Sequence, residues 1–467
     1  MKLLPFIWLF LLPIYLMGQT ANDSIYVEEV RILGHKKTRS STIFREMPFG
    51  RTESMAIKDI EAKISEAEAN LLNTGLFAEV NISTVEWNVP GNKVVFVVTV
   101  RENWYIYPVP VFELADRNFN VWWTEQNRAL DRVNLGVKFT HYNFTGRRDR
   151  LRLGIEFGYT EQLGLSYNLP YLNRQQNLGL ILNFSTLRRR EQNFQTTNDR
   201  QEFYEDPDNF VYNKSEYEVG LVYRRRLYAS HTVRLGYRNE SIADTIAQEL
   251  NPNFFSNQAN RQRYFSLYYE FTDDRRDVRG YAWKGSYFRA RLQKDGLGIL
   301  GERNSFAIWG DYRRFTPLGE KWSLNTSVGF KYSLARNQQP FLENRAVGFG
   351  DYGMAGYQFF VVDGLDMVIF RAGLRRKLFK GRLDLGKLVF IDAFRYIPYR
   401  VLFGAQIDQG WTNAPFNEGR NALANKWLLG ASAGLDVVLF YDIVLSVRYH
   451  RNRLGQGSIL FGTDINL

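Results

Sequence analysis

The chain has 467 residues, a formal net charge of +11 and no cysteine. The lack of cysteine excludes disulfides, thiolate metal sites and cysteine lipidation. Aromatic residues make up 15% of the chain, yet beyond the amino terminus no apolar run reaches the roughly 20 residues that a transmembrane helix needs. The basic charge raises nucleic acid as a partner. Because the arginines are scattered and the amino terminus indicates export, we expect no nucleic acid.

The first residues have the layout of a secretory signal peptide. Lys2 is followed by an apolar run from Leu3 to Met17 and then by Gly18, a small residue at the expected cleavage point. The run is short for a membrane span and contains two prolines, so a retained anchor is the weaker alternative. We predict that residues 1–18 are a signal peptide that is removed on export.

Residues 24–102 show a mixed pattern. SIYVEEVRIL reads as a strand, TIFREM as a short helix, and IKDIEAKISEAEANLLNTG as a helix with apolar residues at helical spacing. LFAEVNISTVEW and KVVFVVTVRE then alternate as two strands around a Pro90-Gly91 turn. The pattern predicts one small α+β domain over residues 24–102.

From residue 103 onward the apolar residues recur with a period of two. In DRLRLGIEFGY, Leu151 and Leu153 share one face, while Arg152 and Glu156 share the other. The alternative is a large soluble sandwich or propeller whose core is the apolar face. Charges embedded in the polar face, strands of about 9–11 residues and loops that alternate between short and long instead favour a membrane barrel.

The predicted fold is therefore an all-β membrane barrel of about 16 antiparallel strands, residues 103–467, preceded by the small α+β domain. Short turns are expected at the end that carries this domain, and long loops at the opposite end. The final strand ends at Leu467 and is expected to meet the first barrel strand, so that neither edge stays open.

Several motifs together resemble the BamA/TamA superfamily of outer-membrane assembly proteins, the bacterial surface antigen barrels, in a short form with a single POTRA domain. VRILGHKKTRSSTIFREM, LLNTGLFAEVNI and VVFVVTVREN carry the POTRA resemblance. FTDDRRDVRGYAWKG is similar to a strand signature of the family, MAGYQFFVVDG to its sixth loop, and LFGAQIDQGW to a closing strand. The resemblance implies a bacterial outer-membrane location with the POTRA domain in the periplasm.

The resemblance places the sixth loop at residues 335–363 and its tip at Ala355, Gly356 and Tyr357. The family normally has an arginine in front of this Gly-Tyr pair, and the arginine pairs with an acidic residue of the barrel wall. Asp408 is the matching acid, but Ala355 has no guanidinium to offer. Either a neighbouring arginine such as Arg345 substitutes, or Tyr357 and backbone hydrogen bonds hold the loop. The tetrad VRGY at 278–281 is expected to be a coincidence at a strand entrance.

Pro108 and Pro110 lie two residues apart in YIYPVPVFEL, the predicted first barrel strand. Their missing N–H groups would have pointed to the same edge, which therefore loses two ladder bonds. If that edge faces the last strand, the barrel closes at a weak seam through which a client strand could enter. The alternative is a simple linker, with the strand starting only at Val111.

We expect a component of outer-membrane protein insertion, assembly or translocation. Its partners are outer-membrane lipid, unfolded outer-membrane or surface proteins as clients, and accessory periplasmic or outer-membrane proteins. The alternatives are an accessory barrel that binds one dedicated partner and a passive pore. The four histidines are scattered without metal-ligand spacing, and no nucleophile elbow or phosphate-binding loop is evident. We therefore expect no enzyme activity, no catalytic or metal site and no cofactor.

Overall fold

The computed structural model of the chain describes residues 24–88, 91–114, 119–124, 127–173, 175–300, 303–384, 386, 396–417, 419–439 and 443–465. The predicted signal peptide, residues 1–18, lies outside this range, as do Pro90 and Leu467. Within the described residues, no helix is both long enough and apolar enough to span a membrane.

In chain order, the strands and α-helices are β1 (Ser24–Leu33), α1 (Ser40–Glu46), β2 (Ser54–Ala56), α2 (Ile60–Leu72), β3 (Phe77–Asn88), β4 (Lys93–Glu102), β5 (Ile106–Leu114), α3 (Phe119–Thr124), β6 (Val133–Tyr142), β7 (Arg150–Gly158), β8 (Thr160–Leu169), β9 (Leu178–Arg189), β10 (Glu191–Thr197), β11 (Arg200–Glu205), β12 (Tyr212–Tyr223), β13 (Ala229–Ile242), β14 (Arg261–Asp274), β15 (Gly285–Asp295), β16 (Ser305–Leu318), β17 (Trp322–Ser333), β18 (Arg345–Val347), β19 (Val362–Asp363), β20 (Asp366–Asp384), β21 (Tyr396–Asn413), β22 (Leu428–Val438), β23 (Ile443–Asn452) and β24 (Gly457–Ile465). Short 3-10 helices lie at Ile57–Asp59, Leu130–Arg132, Phe341–Asn344 and Gly350–Tyr352, and a π-helix at Thr245–Leu250.

The first four strands and two helices form a small α+β domain. Its sheet has the order β2-β1-β4-β3, with β1 parallel to β4 and the other neighbours antiparallel. Ile43 of α1 and Ala67 and Leu71 of α2 are fully buried in a core shared with β1 and β4. Ala67 and Leu71 are four residues apart, which places them on one face of α2. The predicted α+β domain is confirmed.

Sixteen strands form one antiparallel sheet in chain order: β5 to β9, β12 to β17 and β20 to β24. β10 pairs with β11, and β18 with β19, as two separate hairpins in the loops. Fourteen of the sixteen strands have 9 to 14 residues, close to the roughly 9–11 that a tilted bilayer crossing needs. The predicted sixteen-stranded antiparallel barrel is confirmed.

The two faces of this sheet are the reverse of those in a water-soluble protein. The outward positions are apolar and exposed, as at Phe157, Val219 and Ile407, whereas Asp311 and Asp408 are buried inside. An exposed apolar band around a polar interior is the arrangement of a barrel in a bilayer. It excludes the alternative of a soluble sandwich or propeller.

The two ends of the barrel differ, and we call them the domain end and the loop end. At the domain end, α1 contacts the turns that follow β6, β8 and β12. At the loop end, long connections meet across the mouth: Asn198 N–H donates to Arg420 O at 2.7 Å, and Val361 N–H donates to Asp199 O at 2.8 Å. Long loops therefore lie at the predicted end.

One hairpin departs from the expected short turns at the domain end. β20 and β21 have 19 and 18 residues and stay paired as far as Asp384 opposite Tyr396. Their lengths exceed a bilayer crossing, so the hairpin projects past the membrane. The guanidinium of Arg382 stacks 4.0 Å from the ring centre of Tyr396. The two strands stay paired through this basic segment, apart from one register shift between Lys377 and Phe379, and this extended pairing is the reason for the difference.

Candidate functional site

The sixth-loop segment 335–363 folds back into the barrel. Its predicted tip lies against the inner wall that β21, β22 and β23 form, which we call the anchor wall. Ala355 is 4% exposed and Tyr357 is fully buried. Buried backbone polar groups need hydrogen-bond partners, so the contacts of the tip show how the loop is held.

Asp408, the predicted wall acid, binds the tip through the main chain. Because side chains alternate along a strand, Asp408 and Gln406 of β21 share the inner face, and Gln406 Nε2 donates to Asp408 Oδ1 at 2.7 Å. The N–H of Ala355 donates to Asp408 Oδ2 at 2.8 Å, a charge-assisted hydrogen bond. Ala355 and Asp408 are therefore brought together by a backbone amide and not by a guanidinium.

An arginine is nevertheless present at this point, but it belongs to the barrel and not to the loop. Arg371 of β20 donates from one Nη to the carbonyl oxygens of Asp351 and Gly353 at 2.9 and 2.7 Å. Its Nε lies 3.9 Å from Asp408 Oδ2. Arg345 lies elsewhere: it donates to Asn193 Oδ1 at 3.0 Å. The cation beside Asp408 is thus supplied by the adjacent strand.

Two glycines allow the tip to approach the wall closely. Gly356 has a φ of +79°, and a Cβ on it would lie 2.8 Å from backbone atoms of Arg451 and Asn452. Asn452 Nδ2 donates to Gly356 O at 2.8 Å. A Cβ on Gly430 would lie 1.8 Å from Ala355 O. Backbone packs directly on backbone here, a contact that only glycine permits.

Tyr357 completes this contact from the loop side. Its hydroxyl lies 3.3 Å from both the N–H and the carbonyl oxygen of Leu429, where it can accept from the first and donate to the second. Gln358, the next residue, hydrogen-bonds through Nε2 to His450 Nδ1 at 3.0 Å. The arrangement agrees with the second expected alternative, a loop held by Tyr357 and backbone bonds, with Arg371 added.

A second segment reaches the anchor wall from the domain end. The VRGY tetrad lies in the turn between β14 and β15, and Tyr281 is buried with its hydroxyl donating to Asp436 Oδ2 at 2.7 Å. Arg448 Nε also donates to Asp436, at 3.0 Å. The guanidinium of Arg375 lies 4.2 Å from the ring centre of Tyr281. The expectation of a mere strand entrance does not hold for Tyr281, which joins distant parts of the barrel.

The sheet has a seam between its first and last strands. Within the described residues, no backbone ladder connects β5 to β24. β5 begins at Ile106 and not at Val111, so Pro108 and Pro110 lie inside the strand, opposite Phe139 and Val137.

The direction of the two prolines follows from the register. Tyr142 N–H donates to Tyr105 O at 2.8 Å, which makes this a hydrogen-bonded pair. The backbone N–H and C=O groups of successive residues point alternately to the two sides of an antiparallel strand. Those of the odd-numbered residues of β5 therefore point toward β6. Pro108 and Pro110 face away from β6, on the side of the seam, where each lacks an N–H.

The α+β domain is docked through an ionic cluster that we call the Glu46 cluster. Glu46, at the end of α1, accepts hydrogen bonds from Arg148 at 3.1 Å, Arg224 at 2.8 Å and the hydroxyl of Tyr171 at 2.6 Å. Burial opposes the charge of Glu46, but the two arginines outweigh burial and lower the pKa of the carboxyl to about 2. Because each partner belongs to a different turn, the cluster ties one helix to three turns.

The sequence analysis did not identify Arg371, Asp436, Arg448 and Glu46, and it interpreted the tetrad that contains Tyr281 as a coincidence. The Arg-Gly-Tyr motif was a signal for Tyr281, whereas Arg371 and Glu46 carried none that separates them from other charged residues. The described residues contain no group of three or more His, Asp or Glu side chains that could hold a metal ion.

These features define a class: an outer-membrane type of β-barrel with a docked α+β domain, a loop folded into its lumen and an unpaired seam. Two family models match the chain, the Omp85 superfamily domain over residues 143–362 and POTRA, the surface antigen variable number repeat, over residues 25–103. The chain thus carries an Omp85 superfamily domain and one POTRA domain, and the predicted resemblance is confirmed.

Solved structures show the same fold. BamA from Haemophilus ducreyi lacking POTRA domains 1–3 is similar with a TM-score of 0.51 and 16% identity, over 94% of this chain and 85% of that one. CdiB from Escherichia coli has a TM-score of 0.56 and 14% identity, over 94% and 75%. CdiB from Acinetobacter baumannii has 0.50 and 12%, over 94% and 73%. No curated protein matches the chain.

Proposed function

We propose that this protein takes part in inserting, assembling or translocating outer-membrane or surface proteins, with its POTRA domain in the periplasm. The observation that carries the proposal is the seam, because β5 and β24 lack a connecting ladder within the described residues. Pro108 and Pro110 remove two donors from the β5 side of it. A strand edge that is weakly paired with the neighbouring strand of its own barrel can pair with a client strand instead.

The POTRA domain supports the same proposal. Its β3 is an edge strand of 12 residues that pairs only with β4 among the described strands. The free backbone groups of such an edge can add an extended segment. Because α1 is fixed to the barrel turns, a client bound at β3 would be held at the domain end of the barrel.

Two observations weigh against a passive pore. The sixth-loop tip and the Tyr281 turn both cross the lumen to the anchor wall, so the interior is occupied from both ends. An accessory barrel that binds one dedicated partner remains the second candidate, favoured by Ala355 at the loop tip, where the resemblance leads us to expect an arginine. No step in either role needs a cofactor or an enzyme activity.

The test is to close the seam covalently. The chain has no cysteine, so pairs of cysteines introduced along β5 and β24 are the only thiols. Oxidation of a seam pair should stop assembly of other barrels in cells, and reduction should restore it. The matched control is Ala405→Cys with Ala433→Cys, because these residues already face each other on β21 and β22.

The outer-membrane proteome after oxidation separates the candidates. Broad loss of barrel proteins supports the assembly role, whereas loss of one surface protein supports a dedicated partner. Full activity with a quantitatively closed seam would refute strand exchange at this site. Single-channel conductance that persists in both the seam-crosslinked and the control-crosslinked protein would support a pore.

A further inference from the structure

A cleft of about 350 Å³ opens at the loop end of the barrel, and nothing in the proposed assembly role uses it. Four separate segments build it: β10, the 249–253 segment, the sixth loop and the 414–421 segment. Its volume is at the lower end of the range for small-molecule sites, about 300–1,000 Å³. The rim is exposed at Asn253, Gln338 and Phe416, whereas Gln339 and Asn421 are buried at the floor.

The floor contains acceptor atoms without partners. Gln339 is 3% exposed, and its Nε2 donates to Asn337, but its Oε1 has no hydrogen bond within the described residues. Asp363 Oδ1, which lines the same cleft, also has none. A buried acceptor without a donor costs about 1–3 kcal/mol, so these atoms favour a ligand that brings donors. Burial raises the pKa of Asp363 to about 6.

The rim adds carboxamides and an aromatic face. The side chains of Asn253 and Gln338 line the rim, and each can both donate and accept a hydrogen bond. Phe416 is 42% exposed and presents its ring to the cleft. The lining contains two acidic residues, Glu249 and Asp363, and one basic residue, Arg420. This excess of acidic side chains disfavours phosphate and other anions.

We propose that this cleft binds a neutral saccharide at the cell surface. Hydroxyl groups are donors for Gln339 Oε1 and Asp363 Oδ1, they can exchange hydrogen bonds with the two rim carboxamides, and the C–H face of a sugar ring packs on Phe416. The saccharide could come from a surface polysaccharide or from a free oligosaccharide, since both present the same groups. This site goes beyond the proposed assembly function and does not depend on it.

The experiment uses the full chain, purified in a detergent without a sugar head group, and isothermal titration calorimetry. The two probes are maltoheptaose and lipid-free polysaccharide released from the envelope of the source cell. We expect binding of at least one probe, weakened about tenfold by Phe416→Ala. Gln339→Met should weaken it about fivefold. The control is Phe203→Ala, which removes an equally exposed ring outside the cleft.

Heat-modified gel mobility checks that each variant is folded. Binding of the envelope polysaccharide alone points to a surface glycan, and binding of maltoheptaose points to free oligosaccharide; both outcomes support the site. The proposal is overturned if neither probe binds at millimolar concentration, or if folded Phe416→Ala binds like the parent. It is also overturned if Ca²⁺ alone occupies the cleft and excludes both probes.

Discussion

Replacing Gly430 by alanine should push the sixth-loop tip off the anchor wall. The added Cβ would lie 1.8 Å from Ala355 O and 2.8 Å from its carbonyl carbon. Both are backbone atoms, which cannot rotate away as the end of a flexible side chain can. The tip must therefore move, and the hydrogen bond from Ala355 N–H to Asp408 is lost with it.

The loss of stability in Gly430→Ala has two sources, the lost hydrogen bond and the steric overlap. A hydrogen bond to a charged acceptor contributes about 1.5–3 kcal/mol, and forcing a methyl group into a packed contact costs about 1–3 kcal/mol. Since relaxation of the loop relieves part of the overlap, we expect the free energy of unfolding to fall by about 2–4 kcal/mol. The tip should also become accessible from outside.

Two measurements test this expectation. The temperature at which the folded gel band disappears reports stability, and a membrane-impermeant maleimide reports access to the thiol that Ala355→Cys introduces into a chain without cysteine. The control is Gly164→Ala in β8, where an added Cβ meets no atom within 4 Å. Unchanged stability together with a protected thiol in Gly430→Ala would refute the packing argument.

Three further variants test the other contacts. Tyr281→Phe removes the hydrogen bond to Asp436 and should lower the free energy of unfolding by about 1.5–3 kcal/mol. Trypsin cleavage at Arg279 should increase in this variant. The control is Tyr312→Phe at an exposed tyrosine, which should change neither stability nor cleavage. Glu46→Gln should loosen the POTRA domain, detected by faster proteolysis between β4 and β5. The pKa of the Glu46 carboxyl is lowered from 4.5 to about 2, and this difference corresponds to about 3 kcal/mol of stability of the docked state. That stability is fully present above pH 4.5 and is lost as the pH falls to 2. Docking that weakens already near neutral pH would contradict this. Pro108→Val with Pro110→Val restores two donors at the seam and should slow client assembly, and faster assembly would count against strand exchange.

Local pattern was enough to predict the elements. Alternation with period two identified the barrel strands, because a strand between lipid and water must present different residues to its two sides. Helical spacing at Ala67 and Leu71 identified α2 in the same way. The position of the sixth-loop tip and of Asp408 followed from motif resemblance.

Local pattern was not enough to predict which residues meet inside the barrel. Inward-facing arginines and acids are numerous and look alike in the sequence, and their pairing depends on strand register and on where two loops return to the wall. Ala355 and Asp408 are 53 residues apart, and Tyr281 and Asp436 are 155 apart.

The amino-acid sequence by itself determined a lipid-facing barrel and a small leading domain, since both depend on the chemistry of neighbouring residues. The tertiary structure alone decided that Arg371 takes the place of a loop arginine, that Tyr281 reaches Asp436 and that Glu46 joins the domain to three turns. These contacts form only when the curvature of the sheet brings remote side chains within hydrogen-bond distance, and no local periodicity encodes that distance.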